Sequence, residues 1–151
     1  MNLDKIEETL TREDIKVAAL WKRVVAHFID DLLISMIILG IHWESIMQNA
    51  ENPDIVLGIV ANSWLLLYGI RIVYHWLFIR YYGATIGKIV VKIRVIEPWL
   101  LDNPNTKQAF LRSLFRALSE FLMYLPFLYL FTNSLRLSLH DRIAKTLVVE
   151  V

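Results

Sequence analysis

The sequence contains no cysteine, which excludes disulfides and thiolate metal sites and leaves the redox state of its compartment undetermined. It also lacks a charge bias. Sixteen Lys and Arg stand against fifteen Asp and Glu, so no global electrostatic case exists for nucleic-acid binding. The first sixteen residues, MNLDKIEETLTREDIK, have neither the apolar core nor the small-residue cleavage site of a secretory signal peptide, and the N-terminus is expected to be retained. No HExxH-type spacing occurs, so no metal site is assigned and no cofactor is expected. GATIGK at 83 to 88 is not a phosphate-binding P-loop, because Tyr82 stands where that motif needs glycine and Ile89 where it needs Ser or Thr. No nucleophile accompanies a matched base, so an enzyme is not expected.

What is abundant is apolar. Of 151 residues, 56% are hydrophobic and the mean hydropathy is +0.47, which points to a small integral membrane protein with the lipid bilayer as its surroundings. A bilayer core about 30 Å thick needs about 20 mostly apolar helical residues. Two stretches meet that length: Val17 to Trp43, and Ile55 to Tyr82 with Trp64, Trp76, Tyr81 and Tyr82 suited to headgroup depth. A third, Ala117 to Asn133, is shorter and has Pro126 near its centre, so it is read as a kinked or re-entrant helical element. The linker HWESIMQNAENPD has no Lys or Arg, whereas Lys5, Arg12, Lys16, Lys22 and Arg23 precede it and seven more lie between 80 and 116. The positive-inside rule puts the N-terminus and that middle segment in the cytoplasm, and it favours the re-entrant reading of the third stretch.

The expected architecture is therefore an all-α membrane protein with two transmembrane helices, a third kinked or re-entrant element, and a small cytoplasmic β-containing segment. Residues 1–16 form a cytoplasmic amphipathic lead-in, with Leu3, Ile6 and Leu10 on one side, and residues 17–151 form the membrane domain. VKIRVIE, from Val91 to Glu97, alternates as a strand does, and TLVVEV shares its β-branched character; the two are expected to pair. Lys88, Lys92 and Arg94 are candidates to bind anionic lipid headgroups.

The stretch KRVVAHFIDDLL carries Arg23, His27, Asp30 and Asp31 inside the first span. Their spacing places all four on one helical face, which therefore looks at a partner helix or a wet cavity rather than lipid. In the second span Arg71 and His75 also share a face. At 1.5 Å per residue Asp30 lies about 10 Å beyond Arg23, and Arg71 about 13 Å above Arg80, so antiparallel helices bring Asp30 or Asp31 to Arg71. Arg112, Arg116 and Glu120 repeat the theme in the third segment.

These residues resemble a known family. Arg23-Val-Val-Ala-His-Phe-Ile-Asp30 is similar to the opening motif of the RDD family of membrane proteins, and YGATIGKIVVKIRVI (Tyr82 to Ile96) and LHDRIAKTLVV (Leu139 to Val149) agree with it, Asp141 being the second family aspartate. His27, where a small or apolar residue is usual, and the second carboxylate Asp31 depart from the pattern. The resemblance implies a polytopic protein of the bacterial inner membrane, acting in transport, with cation/proton exchange proposed for some members, or as an accessory partner of membrane enzymes. Two function classes follow: a cation- or proton-coupled transport protein using the buried charges, or a non-catalytic scaffold that binds another membrane protein. Three helical elements enclose little volume, so a transport path calls for a homo- or hetero-oligomer.

Overall fold

The computed structural model describes residues 3–121 and 138–151. An N-terminal helix α1 (Leu3–Arg12) precedes the long apolar helix α2 (Leu20–Ile41). Short α3 (Trp43–Gln48) leads into α4 (Pro53–Asn62) and α5 (Trp64–Tyr82). A tight turn follows, then α6 (Ile86–Val90), β1 (Ile93–Ile96) and α7 (Thr106–Phe121); α8 (Leu139–Ala144) and β2 (Leu147–Glu150) close the described chain. The third stretch beyond residue 121, with Pro126, lies outside the described residues.

Among the described residues α2 alone is by itself long and apolar enough to count as a span; α4 and α5 qualify together, bent by 44°. The sequence predicted one uninterrupted helix over Ile55 to Tyr82. The break falls at Ser63, whose hydroxyl donates to the Ile59 carbonyl at 2.7 Å and lies 2.8 Å from His42 Nε2. A serine that bonds back to the i−4 carbonyl weakens the helical ladder and bends it. On α2, Ala26, Asp30, Ile34 and Ile38 are buried while Val24, Phe28, Leu32 and Met36 are exposed, the outward apolar face that lipid solvates.

The strands pair antiparallel, Ile93 with Glu150 through Ile96 with Leu147. Residues 16–18 run along the other edge of β2, with Ala18 N donating to Val148 O and Glu150 N to Lys16 O. One face of this ribbon, with Val95 and Val148, packs with Ala18 of the edge segment on Ala26, Ile79 and Ala109 of the helices. The other, with Ile96, Leu147 and Val149, is covered by Ile6 and Leu10 of α1. The lead-in therefore spends its apolar side on the ribbon and not on a membrane surface. Burial on both faces also explains why TLVV is continuously apolar and not alternating. Glu150 reaches the start of α2, which has no side-chain cap of its own: it accepts from Ala19 N at 3.3 Å and from Lys22 Nζ at 2.8 Å, placing an anion at a helix N-terminus.

Helix α7 runs antiparallel to α5. Arg80 Nε donates to Thr106 Oγ1 at 3.0 Å, and one turn further Trp76 meets Phe110 edge-on; beyond them Leu114 and Leu118 flank Ile72, Tyr68 and Trp64. Its buried face is polar, with Arg112, Ser113, Arg116 and Ser119, while Phe110, Leu111, Leu114 and Leu118 are exposed. An inside-out helix of this kind is stable only where its outer face meets an apolar medium.

Candidate functional site

Among the described residues three carboxylates stand between the helices, and each is held differently. Asp31, at the periphery, accepts from Arg71 Nη2 at 2.7 Å. His27, one turn below on α2, has its Nδ1 3.4 Å from the other Asp31 oxygen and accepts from Arg116 Nη2 at 2.6 Å. Arg71 therefore selects Asp31, not Asp30, from the two candidates the helical depth allowed. The Asp31 side chain keeps 31% of its surface exposed. The Glu120 side chain is outside the described residues.

Asp141 anchors the other end of the network. Its carboxylate accepts from Ser138 N at 2.9 Å and Ser138 Oγ at 2.8 Å, completing a capping box at the start of α8. It also pairs with Arg112 and, at 3.4 Å, with Arg23. Arg112 further donates to Thr146 Oγ1 at 2.6 Å and Arg23 to Val148 O at 3.3 Å. Although burial raises it, Arg112, Arg23 and the Ser138 backbone hold the Asp141 carboxyl well below the usual carboxylate range. Burial keeps the neighbouring His140 ring neutral, far below its ordinary value.

Asp30 is different in kind. It is 0% exposed, and its partners are neutral: Tyr74 Oη donates to Oδ1 at 2.8 Å, Gly87 N to Oδ1 at 2.9 Å, and Thr85 Oγ1 to Oδ2 at 2.6 Å. Among the described residues no Lys or Arg nitrogen reaches ion-pair distance; the nearest titratable nitrogen is His75 Nε2, 3.8 Å from Oδ2. His75 Nδ1 lies 2.9 Å from the Arg71 carbonyl, which can only accept, so Nδ1 carries a proton and Nε2 is the ring nitrogen that faces Asp30. That Nε2 is buried and, among the described residues, has no hydrogen-bond partner.

The donors to Asp30 come from the turn YGATIGK. Gly83 ends α5 with φ +67°, a left-handed conformation that favours glycine, and a Cβ there would meet Asn103. At Gly87 a Cβ would sit 2.1 Å from the Ala26 carbonyl oxygen and 2.9 Å from Asp30 Oδ1. Glycine is what lets α6 lie on α2 closely enough to reach Asp30. Gly87→Ala is therefore expected to lower stability by about 1–3 kcal/mol, read as a fall in melting temperature of detergent-purified protein, because α6 must move off the carboxylate.

Lys88 corrects the sequence reading. It is 5% exposed and its Nζ donates to Thr85 Oγ1 at 3.1 Å, so it faces the interior and no headgroup layer. Short α6 turns its one lysine inward beside Gly87, while the apolar Ile89 and Val90 are exposed. Lys92 and Arg94 are exposed, as a headgroup role requires.

Most of these residues lie within a single family model, RDD family, which matches residues 17–145. The chain belongs to the RDD family. No curated protein and no solved structure matches it. In this RDD chain the arginine of the opening motif and the last aspartate, Arg23 and Asp141, touch each other, while Asp30 stands apart on its own set of donors. Sequence reasoning found these carboxylates and Arg71, read Gly83 and Gly87 as glycines for a tight turn or close packing, and missed Tyr74, Thr85 and Ser138. Of those three, Ser138 left a local signal, a serine three residues before Asp141.

Proposed function

We propose that this RDD-family membrane protein is transport-associated and couples the movement of a proton or small cation to the charge state of Asp30. One observation carries the reading: a carboxylate with no exposed surface, held among the described residues by three neutral donors and by no guanidinium. Asp31 and Asp141 have arginines against them and serve the packing of α2, α5, α7 and α8. In an apolar interior a carboxylate with no cation in direct contact is costly to charge, which favours a site that gains or loses H+ or a monovalent cation.

The positive-inside bias supports a bacterial inner-membrane location with the N-terminus, the ribbon and the segment between α5 and α7 in the cytoplasm. Pairing of β1 with β2 supports a third segment that returns to the side it enters from. With so few helices, a path across the bilayer needs further copies or a partner protein.

The test is flux of protons and sodium into sealed proteoliposomes under an imposed pH gradient. Asp30→Asn is expected to abolish flux in a protein that still inserts and melts cooperatively. Asp31→Asn is expected to retain flux and lower the melting temperature. Wild-type vesicles that stay tight would shift the weight to a scaffold role, for which co-purification of a membrane partner is the assay.

A further inference from the structure

Lysine is almost never fully buried without a carboxylate partner. Lys88 is buried, and among the described residues its hydrogen-bond partner is the Thr85 hydroxyl alone. A lysine serving only to neutralise Asp30 would sit against it. Instead a hydroxyl stands between them, and both of its bonds run in one direction: Lys88 Nζ donates to Thr85 Oγ1 at 3.1 Å, and Thr85 Oγ1 donates to Asp30 Oδ2 at 2.6 Å.

We propose that Lys88, Thr85 and Asp30 form an oriented proton relay, with Lys88 as the group that delivers protons to the coupling carboxylate and Thr85 as the bridge. In one transfer the Lys88 ammonium gives a proton to Thr85 Oγ1 while the Thr85 hydroxyl proton passes to Asp30 Oδ2. Lys88 becomes a neutral amine, Asp30 a neutral acid, and the threonine hydroxyl is regenerated. His75 Nε2, 3.8 Å from the same Oδ2 and without a hydrogen-bond partner among the described residues, is the next acceptor.

The electrostatic surroundings suit the step. Burial, then Arg116 and Arg112 of α7, push the Lys88 ammonium down to about 7 against the support of Asp30 on α2 and Asp141 on α8. A lysine so placed exchanges protons near neutrality. Facing Asp30 are Tyr74 and His75 of α5 as well as Thr85 and Lys88.

The relay rests on the proposed coupling function, and the same proteoliposome assay separates the two. Thr85→Val, nearly isosteric, is expected to slow Asp30-dependent flux by on the order of a hundredfold, and Thr85→Ser to restore it. Lys88→Met and Lys88→Arg are expected to lose flux alike, since the guanidinium keeps its charge and does not release a proton at neutral pH. A structural lysine would be rescued by arginine. If the valine and methionine variants run at the wild-type rate while Asp30→Asn is dead, the relay is wrong and Asp30 stands. If Thr85→Ser is as slow as Thr85→Val, the hydroxyl is not the bridge. Wild-type vesicles no leakier than empty ones overturn both readings.

Discussion

Asp141→Asn is expected to lower the unfolding free energy by about 3–5 kcal/mol, the cost of breaking a buried ion pair on one side. Asparagine keeps the shape and the capping geometry, so the loss isolates charge: Arg112, 2% exposed, is left as a buried cation facing an amide. Ser138→Ala removes only the hydroxyl of the capping box and is expected to cost about 1 kcal/mol. Melting temperatures of the two variants in one detergent give the ordering. An Asp141→Asn protein no weaker than Ser138→Ala would show that Arg112 does not need the carboxylate.

Stability is also expected to rise with pH across a wide range, and to do so because of Lys88. The unfolded chain binds a proton on this lysine below 10.5, whereas the folded protein does so only below about 7. Between those values the unfolded state holds more protons, so stability grows with pH, by about 5 kcal/mol if the whole difference is expressed. The depressed groups act with the same sign. His140 stays neutral when folded while its unfolded counterpart charges below 6.5, so it opposes folding as pH falls through that value. Asp141, held down when folded, contributes stability above the ordinary aspartate value of about 3.9 that is lost on going below it. Lys88→Met is expected to flatten the alkaline limb and to leave the protein more stable at pH 7 than the wild type. That outcome, with flux lost, would mark Lys88 as a residue retained for activity at the expense of stability.

The helical periods of α2 and α5 were enough to place Arg23, His27, Asp30 and Asp31 on one face and to bring Arg71 to their depth, because depth along a helix is simple arithmetic. The alternation of VKIRVIE likewise predicted the strand that pairs with TLVVEV. What periodicity does not carry is the choice between neighbours. Asp30 and Asp31 differ by about 100° around α2, and only the arrival of α6 through Gly87 decides which of them is sealed off. Lys88 was misread for the same reason, since its burial depends on α6 docking against α2 and not on its own flanking residues. The break at Ser63 depends on His42, far away in sequence, and α1 found a partner in a ribbon built from the other end of the chain.

That ribbon has a consequence in time. Ala19 and Glu150 are hydrogen-bonded 131 positions apart, and Lys16 and Ala18 bond along the edge of β2. During synthesis the apolar helices can enter the bilayer long before β2 leaves the ribosome, and until it does α1 has nothing to cover and Arg112 has met neither Asp141 nor Thr146. Every newly made copy therefore passes through a stage in which its helices are inserted and its locks are open. Closure is a late, long-range event, slow by its topology, and in that interval a membrane protease or a chaperone could tell an unfinished molecule from a finished one.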